Sequence, residues 1–437
     1  MKKYLFLTFA LLLMTVQGVR AQSQDATLID DIYYLLNNED KTAQVTWQLY
    51  HSLDNYKSLT AANIPAAVNY QGQNFNVTEI GMGAFATCTT GITSASIPEG
   101  VTCIGDSAFY GCEVLADVNI PNSVERIGND AFRYCHAIKA LTLGNGLKTI
   151  GARAFDACIS VTTLTIPDNV ESIGDAAFGA CKGLKTVSIG SGATSIGTRV
   201  FNTCSSLEEI IVSPENPAYS SEDGVFFNKD KTTLIKYPTT KTGDYVIPNS
   251  VTEIDHASFS DCTGLTAVTL PEGLISIGDG CFSHCIGLKE VVIPNSVTSI
   301  GTTAFTVCDG LTKLTIGSGV KTIGNMAFFS CSSLTTIYNY AVKPQDVDAY
   351  TFMKVPATCT LYVPAESVEL YKAAPEWKNL NVQAIGGTGI IEIHNSECIM
   401  HNYAGAKGWY TISGQRLDSK PTAKGLYIHG GKTVVVD

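Results

Sequence analysis

One short motif recurs along most of the chain, and this repetition constrains the fold more than any other feature. An Ile, in most copies followed by Gly, precedes a Phe by five positions and a Cys by eight. Most copies begin 23 residues after the previous one. The Ile stands at Ile80, Ile104, Ile127, Ile150, Ile173, Ile196, Ile254, Ile277, Ile300 and Ile323. A unit this short cannot bury its own apolar side chains, so we expect similar units to stack on one another.

The order of residues within one copy predicts its local structure. In Thr163-Leu164-Thr165-Ile166, polar and apolar side chains alternate, which is typical of a half-buried strand. Pro167 ends this strand because proline has no N–H for the ladder. We expect Gly174 to adopt a backbone conformation that is closed to residues with a Cβ. Phe178 and Cys181 are predicted to fill the far side of the coil, and ten or eleven such coils would form a rod.

The array has one interruption. The step from Ile196 to Ile254 is 58 residues, and it contains a longer, irregular coil over residues 205–253. Within it, Asp223-Gly224-Val225-Phe226-Phe227 predicts a small protruding hairpin, and Asn228-Lys229-Asp230-Lys231 predicts a turn. This segment is either a tolerated insertion or a protruding binding loop, since loops often carry function.

The N-terminus has the pattern of a secretory signal peptide, which we place at residues 1–21. Lys2 and Lys3 precede a mostly apolar stretch over residues 4–16, and Val19-Arg20-Ala21 offers small residues at the cleavage site. An uncleaved anchor is the alternative, but the apolar stretch is short for a spanning helix. Later in the chain, no run of 18 apolar residues occurs, so no transmembrane segment is predicted in the mature chain.

Segments of different character flank the array, which we place at residues 78–341. Residues 22–77 are predicted to form an N-terminal β cap, with a hairpin around the polar tip Asn37-Asn38-Glu39-Asp40-Lys41. Residues 342–386 are predicted to form a C-terminal cap with a brief helical segment anchored by Tyr371 and Trp377. Residues 387–437 are predicted to form a small C-terminal β module.

The fourteen cysteines raise the question of disulfides, because the chain is predicted to be exported. Neighbouring residues of an in-phase ladder lie about 5 Å apart, a distance that a disulfide can span. Each cysteine also occupies a slot that apolar packing explains, so we favour buried thiols. Ten cysteines share one repeat position: Cys88, Cys112, Cys135, Cys158, Cys181, Cys204, Cys262, Cys285, Cys308 and Cys331.

Composition and motifs argue against several classes of function. The net charge is −11 and no cluster of basic residues occurs, so nucleic acid is not an expected partner. The sequence has none of the nucleophile, zinc-protease or calcium-loop motifs, and we predict neither an enzyme nor a cofactor. Cys281, His284 and Cys285 have metal-like spacing, but His284 is expected on the outer side of the coil and no metal site is predicted.

The best candidate surface is the outward face of the longer strands. Solenoids use such continuous faces for binding, although threonine is also simply well suited to exposed strands. Flanking positions in the same register carry Ala140, Thr163, Thr186, Glu209, Ala267, Glu290, Lys313 and Thr336. The residues predicted to form the face are Asn119, Thr142, Thr165, Ser188, Thr269, Thr315 and Tyr338.

Taken together, the motif I-G-x-x-A-F-x-x-C-x-x-L-x-x-L-x-I-P resembles the BspA-like leucine-rich repeat of exported Bacteroidetes proteins. The resemblance covers roughly residues 78–340 and implies a β-rich right-handed leucine-rich-repeat solenoid with coils of about 23 residues. It also implies a surface protein that binds or adheres to extracellular or host proteins. The C-terminal module resembles modules that act as secretion or sorting signals, with a structural cap as the alternative. Glycan binding and a role as an envelope spacer remain alternative functions.

Overall fold

The computed structural model describes residues 26–47, 56, 59–385, 409–411, 416–417, 419–422, 425–429 and 432–436. The predicted signal peptide lies outside these residues. The described chain winds into a β-solenoid of about 13 turns, with a spacing of about 23 residues, which confirms the predicted fold. The turns outnumber the ten or eleven expected coils because parallel pairing continues beyond the motif copies, for example from Thr336–Asn339 to Thr360–Val363 and on to Asn381–Ala384.

The shorter strand of each coil contains the Ile of the motif. It pairs in parallel with the same strand of the next coil, as Ile150 does with Ile173. These short strands line one side of the solenoid in two sheets. The first contains Thr27–Ile29, Ile32–Asn37, Thr42–Thr46, Ala67–Tyr70, Gln73–Ile80, Cys103–Ile104, Arg126–Ile127, Thr149–Ile150, Ser172–Ile173 and Ser195–Ile196. The second contains Tyr219–Glu222, Val225–Asn228, Thr233–Lys236, Glu253–Ile254, Ser276–Ile277, Ser299–Ile300 and Thr322–Ile323.

The longer strands of the coils form a second, interrupted ladder, which among the described residues consists of four parallel sheets. In Thr163–Ile166 the side chains of Leu164 and Ile166 are buried, whereas Thr163 and Thr165 are exposed, as the alternation predicts. We call the outward side of this ladder the strand face. Its strands are Ala61–Asn63, Ser94–Ser96, Asp117–Val118, Thr163–Ile166, Thr186–Ile189, Glu209–Val212, Gly243–Val246, Leu265–Thr269, Glu290–Ile293, Lys313–Ile316, Thr336–Asn339, Thr360–Val363 and Asn381–Ala384.

Stacked aromatic rings fill the core between the two ladders. The ring centroids of Phe132 and Phe155 are 5.2 Å apart, and their planes differ by 1°. Cys158 follows Phe155 in the same coil, and its Sγ donates a hydrogen bond to the carbonyl oxygen of Phe132 in the preceding coil. The ten cysteines of the ladder are buried and present as free thiols, as we expected. A thiol such as that of Cys158 therefore both fills an apolar slot and satisfies a backbone carbonyl.

The glycine of the motif is required for a different reason from the one we expected. Gly174 does not have a positive φ. A Cβ at this position would instead lie 2.4 Å from the backbone nitrogen of Ala152 in the preceding coil. The positive φ angles of this coil belong to Ala176 and Ala180, both at 50°. Gly174 is thus needed because two backbones approach closely, and not because of its own dihedral angles.

The irregular coil was expected to carry a protruding hairpin, but the structure shows that this hairpin is built into the solenoid. Tyr219–Glu222 and Val225–Asn228 form an antiparallel hairpin, but the side chains of Phe226 and Phe227 are both fully buried. Phe226 packs into the core of the N-terminal half, whereas Phe227 packs into the core of the C-terminal half. The hairpin therefore joins the two hydrophobic cores. Burial of one aromatic side chain in each core stabilises the contact between the two halves of the solenoid.

Both ends of the solenoid carry additional structure. At the N-terminal end, the hairpin of Ile32–Asn37 and Thr42–Thr46 pairs in parallel with Gln73–Ile80. At the C-terminal end, Ala365–Ser367 and Trp377–Asn379 are 3₁₀ helices that flank the α-helix Val368–Ala373.

Two aromatic side chains anchor the C-terminal end. Tyr371 Oη donates to the carbonyl oxygen of Ala341 at 2.9 Å, and Trp377 Nε1 donates to that of Gln345 at 2.8 Å. In the predicted C-terminal module, the strands Trp409–Thr411, Arg416–Leu417, Gly425–His429 and Lys432–Val436 form an antiparallel sheet. Over the described residues, no helical segment has the length and apolarity needed to cross a bilayer.

Candidate functional site

The seven residues predicted on the strand face lie on the longer ladder, but they differ in exposure. Asn119 pairs with Thr142 and Thr165 with Ser188, each on neighbouring coils. The residues divide into three groups: Asn119, Thr142 and Thr165 are exposed, Ser188, Thr269 and Tyr338 are half-buried, and Thr315 is buried.

Thr315 corrects the expectation that all seven side chains reach solvent. It stands in register between Val292 and Tyr338, whose larger side chains cover it. Its Oγ1 has no hydrogen-bond partner. The ring of Tyr338 stacks on that of Tyr362 with centroids 4.9 Å apart, and Lys313 Nζ lies 5.9 Å from the centre of the Tyr338 ring. The hydroxyl of Thr315 is therefore shielded between Val292 and a Tyr338 ring that Tyr362 holds in place.

Four apolar or aromatic residues occupy the same outward position, and the sequence argument missed them. Ile211 is 47% exposed and Val246 is 65% exposed, while Val292 and Tyr362 are half-buried. Pairing of Ser188 with Ile211 and of Val246 with Thr269 places Ile211 and Val246 in the row of predicted residues. The alternation within each strand would have identified them, had apolar residues not been assigned to the core.

Charged side chains flank this row. Glu290 and Lys313 form an ion pair of 2.9 Å on adjacent strands, and Lys185 and Glu208 form another of 3.1 Å. The Lys185–Glu208 pair is exposed and contributes little to stability, because water and salt screen it. Both pairs do fix the pattern of charge that a ligand meets.

The structure does not bring the metal-like residues together. Cys281 is buried in the core, whereas His284 is exposed, with its Nδ1 2.8 Å from Ser283 Oγ. Across the part of the chain that the structure describes, no three His, Cys, Asp or Glu side chains converge as metal ligands. Burial raises the pKa of most ladder thiols, for example that of Cys158, and this disfavours the thiolate that metal binding and nucleophilic attack both need.

A groove of about 390 Å³ runs along the short-strand ladder of the C-terminal half. Ile277 and Ile300, with the glycines that follow them, are among the residues that line it, together with Asp255 and His256. The Nδ1 of His256 accepts a hydrogen bond of 3.1 Å from the backbone N–H of Asp279. This imidazole therefore helps to hold one coil against the next.

Comparison with solved structures places the fold among bacterial surface proteins. A leucine rich cell surface protein from Faecalibacterium prausnitzii is 25% identical with a TM-score of 0.64, over 84% of this chain and 97% of that one. A leucine-rich repeat protein from Bacteroides ovatus is 25% identical with a TM-score of 0.53, over 82% and 90%. The pneumococcal vaccine antigen PcpA, 22% identical with a TM-score of 0.65 over 82% and 98%, shares the fold.

The comparison with curated proteins found no match. The comparison with family models, in contrast, matches the repeats themselves. The family profile described as the BspA type leucine rich repeat region (6 copies) matches residues 53–181, 127–246 and 236–358, which together make up more than half of the chain. The profile thus covers the coils that carry the Phe and Cys ladders and most of the strand face, and the chain belongs to the BspA-type leucine-rich repeat family.

Proposed function

We propose that this chain is an exported, non-catalytic surface protein that binds other proteins through its strand face. Membership of a leucine-rich repeat family supports a role in protein interaction, and the similar protein from Faecalibacterium prausnitzii is a cell surface protein. Export rests on the predicted signal peptide at residues 1–21. We likewise propose that the bound partner is an extracellular or host protein.

The observation that carries this proposal is the register of the strand face. Parallel pairing aligns equivalent outward side chains on successive coils, as in Thr163–Ile166 with Thr186–Ile189 and then Glu209–Val212. The stacked Phe and Cys ladders support these strands from behind. Such a face is ordered before a ligand arrives, so little conformational entropy is lost on binding.

A pull-down with residues 22–437 tests the proposal. Immobilised protein is exposed to host extracellular and epithelial surface proteins, bound species are identified by mass spectrometry, and saturation is then measured with the purified partner. Two variants place a large charge on the strand face, Thr165→Arg and Val246→Arg. Ile159→Arg serves as the control, because Ile159 is 39% exposed but lies outside the longer strands.

We expect a saturable partner whose affinity falls about tenfold or more in one face variant and is unchanged in the control. If no protein partner saturates, a glycan array tests the glycan-binding alternative. A negative result in both assays would leave the envelope spacer, which predicts a changed cell surface on deletion without the loss of any ligand.

We also propose that residues 387–437 direct secretion or surface sorting and contribute nothing to ligand binding. Deleting these residues should leave the purified protein able to bind the same partner. In cells, the deletion should change where the protein accumulates. A truncated protein that reaches the same location in the same amount would contradict the sorting role.

A further inference from the structure

The two halves of the strand face differ in chemistry. In the N-terminal half the in-register outward position is held by Asn119, Thr142, Thr165 and Ser188, all small and polar. From the irregular coil onward the position is mostly apolar or aromatic. We call its apolar members, which are Ile211, Val246, Val292, Tyr338 and Tyr362, the apolar stripe.

Two members of the apolar stripe are exposed to solvent. Val246 is 65% exposed and Ile211 is 47% exposed, although both lie in regular strands. Ile211 and Val246 lie in separate sheets, and the hairpin falls between them in the chain. Single exposed apolar residues are common on proteins, but apolar residues that recur at one outward position of the coils indicate an interaction surface. The end of the stripe at the hairpin is therefore its most exposed apolar part.

The hairpin of the irregular coil brings carboxylates to this end. A Cβ on Gly224 would lie 2.9 Å from the Cβ of Glu209, so the hairpin turn rests directly on that residue. Burial raises the pKa of Tyr245, and the nearby carboxylates of Glu222 and Asp223 raise it further. The backbone N–H of Ile210 donates a hydrogen bond of 3.0 Å to the carbonyl oxygen of Gly224, so the turn lies against the strand Glu209–Val212. The backbone N–H of Thr240 donates one of 3.1 Å to the carbonyl oxygen of Leu207, so the segment that leads into Gly243–Val246 lies beside the one that leads into Glu209–Val212. Asp244, which precedes Tyr245, is exposed on the second of these strands.

Three of these carboxylates have no cationic partner. Glu222 pairs with Lys231 at 3.0 Å. Among the described residues, Glu209, Asp223 and Asp244 form no ion pair, and Asp244 only accepts a hydrogen bond of 2.6 Å from Thr266 Oγ1. Neighbouring like charges repel one another, and cations supplied by a partner would relieve that repulsion.

Charge and apolar exposure together define the partner. Acidic lipids and nucleic acids are disfavoured, because the carboxylates would repel their phosphates. We propose that the apolar stripe docks a protein segment that presents apolar side chains together with Lys or Arg, the cations meeting Glu209, Asp223 and Asp244. The inference rests on the proposed function and adds the chemistry of the partner.

The test uses three fluorescein-labelled synthetic peptides and fluorescence anisotropy, with residues 22–437 as the binding protein. The first peptide combines Lys with Leu and Val. The second has Glu in place of every Lys, and the third has Ser in place of every Leu and Val. Binding is measured at low and at high salt, because screening separates the electrostatic contribution from the apolar one.

We expect the first peptide to bind saturably, and the other two to bind about tenfold or more weakly. The variant Ile211→Ser with Val246→Ser should lose about tenfold in affinity for the first peptide. The variant Asp223→Asn with Asp244→Asn should lose affinity mainly at low salt. Matched controls are Ile159→Ser and Glu113→Gln, which change an exposed apolar and an exposed acidic residue outside the strand face and should have no effect. Thermal midpoints confirm that each variant is folded.

Equal binding of the first peptide by the apolar variant overturns the inference, as does equal binding of the Glu peptide. The outcome is separate from that of the pull-down. A saturable protein partner that is insensitive to the stripe variants contradicts this inference and leaves the proposed function intact. Selective peptide binding without any protein partner in the pull-down supports the stripe chemistry and counts against the proposed function.

Discussion

The ammonium group of Lys236 donates a hydrogen bond of 3.2 Å to the carbonyl oxygen of Ala257 in the interior of the irregular coil, where Lys236 is only 4% exposed. Within the described chain, no second hydrogen bond and no carboxylate partner accompanies it. Burial raises the pKa of the Cys204 and Cys262 thiols, and the nearby charge of Lys236 lowers it in part. A cation in this position has lost most of its hydration, and only one hydrogen bond replaces the bonds to water.

Replacing Lys236 with Met should therefore stabilise the protein. We expect the free energy of unfolding to rise by about 1–3 kcal/mol, because the substitution keeps most of the volume and removes the desolvated charge. Thermal unfolding followed by circular dichroism measures the change. Lys289→Met, at an exposed position, is the control and should leave the midpoint unchanged. A lower midpoint for Lys236→Met would mean that the bond to Ala257 outweighs the cost of burial.

Glu272 should make stability depend on pH. Burial raises its pKa to about 7, and its Oε1 has no hydrogen-bond partner. Glu99, in a similar Pro-Glu-Gly turn, instead accepts backbone N–H groups from Asn122 and Ser123. The folded protein holds the Glu272 proton more tightly than the unfolded chain does. The contribution of this proton to the free energy of unfolding is therefore fully present below the ordinary glutamate pKa. That contribution is lost as pH rises through about 7.

Glu272→Gln tests this dependence. One pKa unit corresponds to about 1.4 kcal/mol, so the variant should be more stable than the parent by about 2 kcal/mol above pH 8, after allowing for partial exposure. Near pH 4 the two proteins should be nearly equal. Urea unfolding across this pH range gives the comparison. An equal effect at both pH values would show that packing, and not titration, is responsible.

The hairpin should control how the two halves unfold together. Phe226 and Phe227 are fully buried in different cores. Each single Phe→Ala change should cost about 3–5 kcal/mol. The double change should also split thermal unfolding into two transitions, because repeat arrays lose cooperativity where the contact between neighbours is weak. Calorimetry detects the split, and a single transition in the double variant would contradict it.

Thiol labelling should distinguish Cys103 from the ladder. Cys103 is the described cysteine that is half-buried, and it lies 3.6 Å from Arg126 Nη1. Burial raises the pKa of Cys103, so labelling should be slow at neutral pH and faster as pH rises. In a Cys398→Ala background, native protein should take up about one label per chain. Cys103→Ser should abolish this uptake, and rapid labelling of ladder thiols would refute their burial.

The motif predicted the repeating part of the fold because the same contacts recur in each coil. The alternation in Thr163–Ile166 predicted both the strand and its buried side. The expectation for Gly174 failed because the sequence does not show which backbones approach each other. The positive φ angles fall on Ala176 and Ala180, which carry no sequence signal for that conformation.

The strand face was predicted only in part. Its polar half follows from the alternation, but Thr315 is buried because of what its neighbours are, and neighbours 23 residues away are not adjacent in the sequence. Val246 was missed both because apolar residues were assigned to the core and because the irregular coil breaks the spacing that aligns equivalent positions. The hairpin was expected to protrude, since the sequence alone does not show that Phe226 and Phe227 have cores on both sides.

In-register pairing, such as that of Ile150 with Ile173, makes the interfaces between regular coils nearly equivalent. Gain or loss of one coil leaves an interface of the same kind behind it, so copy number can change by recombination without a new core. Each such event changes the length of the solenoid by about 4.8 Å. The hairpin coil is not interchangeable, because Phe226 and Phe227 belong to different neighbours. The length of the solenoid can thus change in steps of one coil on either side of the hairpin coil, which itself stays constant.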